Sequence, residues 1–479
     1  MSTQNKLMTN WRWVMCAMLF FATTVNYMDR QVLSLTFKEF IQPEFHWTDS
    51  DYGTITGIFS IAYAIFCLFA GKFVDWMGTK KGYLIAIVVW SLGAVLHAAC
   101  GWGTSLIEGV ADLNTIEAGS MAALGVASTS VWLFLVCRMI LGLGEAGNFP
   151  AAIKVTAEYF PKKDRAFATS IFNAGASVGA LAAPATIPLL AKAWGWEMAF
   201  IIIGALGFIW AAIWVFVYDK PAESHHVNEA ELAYINSDEA QADKAQAAKE
   251  EKQMSFAEAF THKQTWSFAF GKFMTDGVWW FFLFWAPAYF QDQFGIKASD
   301  PQGIALIFTL YAIVTVVSLF GGYLPKIFVE KKGMEPYAGR MLAMLIFAFF
   351  PIIALFAQPL GGIWGPWAVA IIIGIVGAAH QSWSANIFST TGDMFPKSAV
   401  ATITGIGAMA GGIGSFLINK GSGMLFDYAA GLGDAFAFMG FTGKPAGYMI
   451  IFCICAVAYL IGWSVMKLLV PKYKPVVIE

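Results

Sequence analysis

Long apolar stretches alternate with short polar segments along most of the chain. About twelve of these stretches are long enough to cross a bilayer, which takes roughly 20 apolar residues in a helix. They lie near 13–36, 52–74, 82–100, 131–157, 166–191, 197–218, 265–290, 303–326, 339–358, 364–391, 398–424 and 446–468. Because a helix satisfies its own backbone hydrogen bonds in lipid, the pattern predicts an all-α membrane protein with twelve transmembrane helices.

One polar segment separates the first six apolar stretches from the last six. Residues 219–264 are rich in Ala, Glu, Lys and Gln and contain no apolar stretch. We therefore expect a six-helix bundle at 1–218, a cytoplasmic linker with helical parts at 219–264, and a second six-helix bundle at 265–479.

The two predicted bundles also resemble each other in sequence. Phe160-Pro161-Lys162 follows the fourth stretch, and Phe395-Pro396-Lys397 follows the tenth. At the same offset, Gly179 corresponds to Gly414. Parallel six-helix repeats are a transporter architecture in which the substrate site lies between the halves near the membrane midplane.

Charge is informative through its location. Only 13% of residues are charged and the net charge is −2, so no basic surface remains for a nucleic-acid partner. Lys and Arg concentrate in the loops on one side, and the segment 101–130, predicted as an external loop, contains neither. The positive-inside rule then places both termini in the cytoplasm.

No cofactor is expected. The six cysteines lie in or beside apolar stretches, at spacings unlike a metal site. No phosphate-binding glycine loop precedes Lys-Ser or Lys-Thr, so transport would draw on an ion gradient and not on ATP.

Four ionisable residues fall within apolar stretches of the first half: Asp29, Arg30, Arg138 and Glu145. Such residues are costly in a membrane and normally face a cavity or one another. Asp29 and Arg138 lie at a similar predicted depth, so we expect them to form an ion pair. Glu145 lies two helical turns beyond Arg138 on the same face. A buried carboxylate near a cation can exchange a proton in response to what binds the cation, which makes Asp29, Arg138 and Glu145 candidates for proton coupling.

The second half supplies further candidate side chains for binding an anion. Lys272 and Asp276 lie four residues apart and share a helical face, where they either neutralise each other or address a ligand together with Arg30. Aromatic, amide and hydroxyl groups nearby suit a polyhydroxylated ligand. The remaining candidates of this kind, drawn from both halves, are Tyr27, Tyr63, Asn173, Trp279, Trp280, His380, Gln381, Trp383, Ser384 and Asn386.

The segment between the second and third stretches runs from Gly71 to Lys81. Gly78 suits a tight turn, and Asp75 with Lys80 and Lys81 can form an interhelical latch. Gly, Asp, Gly and paired basic residues at this spacing resemble the loop motif of the major facilitator superfamily. That resemblance implies the major facilitator fold.

A closer resemblance covers almost the whole chain. The segments 26–30 and 138–146 resemble the first and fourth helices of the anion:cation symporter family. The segments 271–280 and 380–396 resemble its hexuronate transporter branch. The likeness implies a symporter that carries glucuronate or galacturonate with protons by alternating access. We expect it to function as a monomer in a bacterial inner membrane. Met28 and Gly277 depart from that pattern.

The resemblance also implies roles for particular residues. Asp29 and Glu145 would be the protonatable pair, while Arg30 and Tyr27 would contact the sugar acid. Three alternatives stay open. One is a different cargo such as galactonate, another aldonate or a small dicarboxylate. The others are a membrane sensor that binds a sugar acid without moving it, and a membrane enzyme, for which no catalytic constellation is visible.

Overall fold

A computed structural model describes residues 8–238, 254–321 and 323–476, and these are almost entirely helical. The first half contains α1 (Trp11–Thr36), α2 (Asp49–Met77), α3 (Thr79–Leu96), α4 (Met121–Glu145), α5 (Lys162–Trp194) and α6 (Trp196–Val217). The second half contains α7 (Lys263–Phe294), α8 (Pro301–Gly321), α9 (Pro336–Phe349), α10 (Pro366–Met394), α11 (Lys397–Leu432) and α12 (Gly443–Leu469).

Shorter elements join or extend these helices. A two-stranded antiparallel sheet, β1 (Ala437–Phe438) with β2 (Phe441–Thr442), precedes α12. The short helical segments are Phe37–Ile41, Gln42–Phe45, His97–Ala99, Cys100–Glu108, Leu113–Thr115, Asn148–Tyr159, Glu229–Ile235, Asn236–Asp238, Phe256–Ala259, Tyr323–Lys332, Phe350–Phe356, Ala357–Trp364 and Gly433–Ala435.

The prediction of an all-α membrane protein is confirmed. Within the described residues, ten helices are long and apolar enough to cross a membrane. The two other long helices, α1 with 26 residues and α7 with 32, are not among those ten. Both carry the charged residues singled out from the sequence, and these side chains lower the hydropathy of the helices. With α1 and α7 included, the fold accommodates the predicted twelve spans.

The predicted external loop at 101–130 is wrong over much of its length. Cys100–Glu108 continues the path of α3 as a helix, and α4 already begins at Met121 and not near residue 131. Ser120 caps α4 by accepting a hydrogen bond from the backbone N–H of Ala123 at 3.1 Å. Helices can extend beyond the bilayer core, so hydropathy alone set this boundary too late.

The internal repeat predicted from the two Phe-Pro-Lys segments has a structural counterpart. Pro161 and Pro396 precede α5 and α11 with nearly identical backbone angles, φ −61° and ψ 154° against φ −62° and ψ 154°. Gly179 packs against the backbone of α1, and Gly414 packs against the backbone of α7. A side chain at either glycine would collide with a carbonyl oxygen, so both glycines allow close helix approach.

The described part of the linker is anchored to the start of α1. Glu231 is fully buried and accepts hydrogen bonds from the backbone N–H groups of Trp11 and Arg12 at 2.9 and 3.1 Å. It also pairs with the Arg12 guanidinium at 3.0 Å. Burial favours the neutral acid, but these hydrogen bonds and one from Thr9 prevail and lower the pKa of Glu231 below its ordinary value. The predicted linker residues 239–253 lie outside the described residues.

The two ends of the helical bundle differ in how the halves are connected. We call the end at which α1 begins and α12 ends, next to the described part of the linker, the linker end, and the opposite one the far end. At the far end, four charges form a network between the halves, which we call the far-end network: Lys38 and Asp49 from the first half, Asp292 and Lys444 from the second. Lys38 contacts Asp49 at 2.8 Å and Asp292 at 3.1 Å, and Lys444 contacts Asp292 at 2.6 Å and also pairs with Asp49.

Further contacts close the far end. Asp427 of α11 accepts hydrogen bonds from the backbone N–H groups of Asp49 and Ser50 at 2.9 and 2.6 Å. A carboxylate from the second half thus caps the N-terminus of α2 in the first half. Gly423 of α11 packs directly against the Asp49 carbonyl, which brings the two helices together.

Candidate functional site

A cavity of about 250 Å³ lies between the two halves. Its wall includes Arg30 from the first half and Lys272 and Asp276 from the second. The described residues also form a larger groove of about 350 Å³ between α7, α11 and α12, but its lining is almost wholly apolar. Its position between the two halves, together with the charges in its wall, marks this cavity as the candidate site.

Most of the predicted binding residues meet in this cavity. Those that line it are Tyr27, Arg30, Tyr63, Lys272, Asp276, Trp279, Trp280, His380, Gln381 and Ser384. Sequence reasoning missed Ser60, Cys67 and Phe388, which also form part of the wall. Each of them lies one helical turn from a predicted residue on α2 or α10, and this spacing could have indicated that they share the cavity-facing side of the helix.

Arg30 is held by a carboxylate behind the cavity wall. Its Nε and Nη2 atoms donate to Oε2 of Glu145 at 3.1 and 2.8 Å. Arg30 is 5% exposed and Glu145 is fully buried. The guanidinium also lies 4.6 Å from the ring centre of Tyr63 and 5.2 Å from that of Trp280. Since Trp280 belongs to α7, Arg30 contacts both halves.

The predicted ion pair between Asp29 and Arg138 is wrong. Both side chains are buried in the first half, at 1% and 2% exposure. Among the described residues, neither the Asp29 carboxylate nor the two terminal nitrogens of Arg138 has a hydrogen-bond partner. Equal depth was a poor guide because depth does not fix the direction in which a side chain points, and neighbouring residues on a helix point about 100° apart. Arg30 faces the cavity, and Asp29, the residue before it, turns away from it.

Asp29 and Arg138 nevertheless lie close to the Arg30–Glu145 pair. Asp29 interacts electrostatically with both Glu145 and Arg138. The Arg138 guanidinium lies 5.3 Å from the ring centre of Phe59. The second oxygen of Glu145, Oε1, has no partner among the described residues. The three side chains therefore form a buried polar cluster behind Arg30.

The second half contributes a charged pair of its own. Lys272 Nζ lies 2.7 Å from Asp276 Oδ2, so the two side chains form an ion pair on one face of α7. The Lys272 ammonium also lies 4.3 Å from the ring centre of Phe388 on α10. Unlike Glu145, Asp276 lies in the cavity wall itself.

His380 is fixed by two neighbours. Its ring is parallel to that of Trp279, with centres 5.5 Å apart and planes 2° apart. Its Nδ1 atom lies 2.7 Å from the Tyr459 hydroxyl. A fixed imidazole and an indole thus form one wall of the cavity, next to the amide of Gln381.

Three predicted binding residues lie away from the cavity. Trp383 is fully buried edge-on against Tyr459. Asn386 donates to the Ser382 carbonyl and lines a separate groove with the short helix Tyr323–Lys332 and α9. At about 100° per residue, positions 380, 381 and 384 of α10 share one face while 383 and 386 point elsewhere. Asn173 on α5 is exposed and is not part of the cavity wall.

The predicted latch between α2 and α3 has other partners than expected. Gly78 has φ 78° and forms the turn, as predicted. Asp75 pairs with Lys154 at 2.8 Å, and Lys80 pairs with Asp219 at 2.8 Å. The first ion pair lies within the first half and the second joins α3 to the start of the linker, and no ion pair of Lys81 is found in the described part of the chain.

Comparisons with known proteins identify the family of this chain. The sequence profile of the Major Facilitator Superfamily matches residues 19–418. The chain belongs to this superfamily. It is a multi-pass membrane transporter for a small molecule, not an enzyme.

Relatives within the superfamily are similar over most of their length. The hexuronate transporter of Escherichia coli K12 is 28% identical over 461 residues, covering 95% of this chain and 94% of that protein. The galacturonate transporter of Dickeya chrysanthemi is 28% identical over 352 residues, covering 73% and 92%. The crystal structure of a D-xylose-proton symporter shares the fold, with a TM-score of 0.68, 15% identity, and coverage of 95% of this chain and 98% of that one.

Proposed function

We propose that this transporter is a proton-coupled symporter that imports hexuronates, glucuronate or galacturonate, across a bacterial inner membrane. The observation that carries the proposal is the Arg30–Glu145 pair, in which a cation in the cavity wall is neutralised by a buried carboxylate. The names of the two sugar-acid relatives support the choice of cargo. No cofactor is needed, because the proton gradient would drive transport.

The pair provides a direct link between proton and anion. The carboxylate of a sugar acid can bind Arg30 through charge-assisted hydrogen bonds of the kind that Glu145 now makes. Two carboxylates cannot both be satisfied at low cost by one guanidinium in a buried site. A proton on Glu145 removes this competition, so proton binding and substrate binding favour each other. Asp29 and Arg138 lie close enough to influence that proton.

The rest of the cavity suits a sugar ring. Tyr27 and Tyr63 offer hydroxyl groups beside Arg30, while Gln381 and Ser384 offer an amide and a hydroxyl on the opposite wall. Trp279 and Trp280 supply flat apolar surfaces. This mixture of hydrogen-bonding groups and aromatic planes is what a polyhydroxylated anion requires.

The far-end network supports alternating access. With both termini in the cytoplasm, as the loop charges indicate, the closed far end would be the outer one, and the cavity would release its ligand inward. Residues 1–218 and 265–479 would then rock against each other around the site. Because one chain supplies both walls, a monomer suffices for transport.

Uptake of labelled glucuronate into proteoliposomes tests the proposal. An inward proton gradient should drive accumulation above the external concentration, and a protonophore should abolish it. Binding of glucuronate without any flux would favour a sensor. Accumulation of galactonate but not of either hexuronate would move the cargo to the aldonates, and no flux of any sugar acid would end the proposal.

Replacement of Arg30 isolates the anion contact. Arg30→Ala should lose glucuronate binding by at least tenfold, because a charge-assisted pair contributes about 1.5–3 kcal/mol. Calorimetry on the purified protein measures this. Arg340→Ala is the matched control, since Arg340 pairs with Asp393 at 2.7 Å outside the cavity. Wild-type affinity in Arg30→Ala would refute the assigned contact.

A further inference from the structure

The second charged pair of the cavity has no role in the function proposed above. Lys272 is 5% exposed and Asp276 is half-buried. The Lys272 Nζ and Asp276 Oδ2 atoms lie 2.7 Å apart. Among the described residues lining the cavity, Asp276 is the one carboxylate, while Arg30 and Lys272 are the two cations. The wall thus presents two positive charges. Glu145, behind the wall, neutralises Arg30, and Asp276, in the wall itself, neutralises Lys272.

Asp276 is positioned by a glycine on the neighbouring helix. Gly411 of α11 packs directly against the Asp276 carboxylate, and any side chain at 411 would collide with it. The missing side chain gives the carboxylate room beside Lys272. Asp276 therefore occupies a place shaped for it between α7 and α11.

Few other titratable groups face the pair. Tyr459 on α12 interacts electrostatically with Asp276, and His380 on α10 interacts with Lys272. Across the cavity lie Arg30 with Tyr27 on α1, and Tyr63 with Cys67 on α2. No second carboxylate of the described wall competes for Lys272, so the charge state of Asp276 decides whether Lys272 is free to bind an anion.

The position of the pair along α7 places it between Arg30 and the linker end. Trp280, which contacts Arg30, lies eight residues beyond Lys272, about 12 Å further from the linker end at 1.5 Å per residue. An anion that leaves Arg30 for the linker end therefore passes Lys272. At that point it meets a cation already paired with a carboxylate, and displacing an ionised partner in a site of low dielectric is costly.

We propose that Asp276 is an additional proton-binding site of the transport cycle, which takes up a proton while the far end is open and so frees Lys272 to contact the anionic substrate. The proton comes from water on the side from which the substrate enters. It forms an O–H bond on the Asp276 carboxyl and returns to water at the linker end when the substrate leaves and Lys272 pairs with Asp276 again. This inference rests on the proposed symport and adds one proton to its stoichiometry.

The test is the reversal potential of glucuronate flux in proteoliposomes, which reports the number of protons per substrate. Asp276→Asn should lower that number by one. At a pH difference of one unit without a membrane potential, the limiting accumulation ratio should then fall tenfold, because each proton contributes about 1.4 kcal/mol per pH unit. An unchanged reversal potential would overturn the inference.

Glu330→Gln is the matched control. Lys326 and Glu330 have the same four-residue spacing, at 3.7 Å, but both are exposed and lie outside the cavity. This variant should keep the wild-type reversal potential. If wild-type protein shows no proton-driven flux, the proposed function fails; if it does and Asp276→Asn behaves identically, only the present inference fails.

If the Asp276→Asn protein does not transport, a second measurement still tests the inference. Glucuronate added to purified protein in weak buffer should cause proton uptake, followed with a pH-sensitive dye. The variant should take up one proton fewer per bound glucuronate than the wild type. Equal uptake by the two proteins would overturn the inference without any flux measurement.

Discussion

The far end and the linker end of this transporter are built differently. At the far end, four charges, a helix cap by Asp427 and a glycine contact join the two halves. At the linker end, no ion pair found in the described residues joins the two halves: Asp75–Lys154 and Arg340–Asp393 each lie within one half, and Arg12–Glu231 joins the first half to the linker. The contrast shows one entrance closed by interactions between the halves, which would separate in the proposed cycle, and one end where the described residues form no such ion pairs.

The largest effect should come from removing both cations of the far-end network. In Lys38→Ala with Lys444→Ala, Asp49 and Asp292 would face each other without a counter-ion, which costs about 3–5 kcal/mol in a buried pair. The far end should therefore open. Cys67 in the cavity wall reports this, because a membrane-impermeant thiol reagent added on the far-end side should reach it in the variant and not in the wild type.

Two controls sharpen that measurement. Lys154→Ala removes an ion pair at the linker end and should leave the labelling of Cys67 from the far-end side at the wild-type level. Cys67→Ser in the double variant should remove the added labelling. Equal labelling of wild type and double variant would contradict the role of the network in closing the far end.

A smaller effect should follow from Gly423→Ala. The added methyl group would collide with the Asp49 carbonyl on α2. Overpacking of a close contact costs about 1–3 kcal/mol, here only in the state with a closed far end. Labelling of Cys67 from the far-end side should rise by less than in the double lysine variant. Gly421→Ala, at a glycine with open space around it, is the control.

The smallest effect concerns the linker end, where Glu231 anchors α1. Glu231→Gln should reduce stability by about 1 kcal/mol, since an acid at a helix N-terminus interacts favourably with the helix dipole. Because the pKa of Glu231 is lowered in the fold, its contribution is present above the ordinary Glu pKa and is lost as the pH falls through the folded value. Thermal unfolding at pH 7 and pH 4 checks this, and an equal difference between the two proteins at both pH values would contradict it.

Hydropathy and a few motifs were sufficient for the fold. The apolar stretches predicted the spans, and the two Phe-Pro-Lys segments predicted the repeat, because length and periodicity in a membrane leave few other solutions. Helix boundaries such as the start of α4 were harder to predict from hydropathy, because helices extend beyond the apolar core of the bilayer. The identity of the family followed from the same residues.

The site was predicted in composition but not in pairing. Charged residues in apolar stretches led to Arg30, Glu145, Lys272 and Asp276, since such residues are costly without a reason. That Glu145 and not Asp29 carries the ion pair depends on how the helices are rotated against each other, which the predicted depth of a residue in its span does not reveal. The far-end network was missed for the same reason, because its members come from four different segments.

The central claim is that the Arg30–Glu145 pair couples proton to substrate, and Glu145→Gln tests it most directly. The glutamine keeps the size and a hydrogen-bond acceptor for Arg30 but cannot exchange a proton. Counterflow of labelled glucuronate between two equal pools should persist in this variant, while accumulation driven by a proton gradient should be lost. Accumulation at the wild-type level in Glu145→Gln would contradict the account.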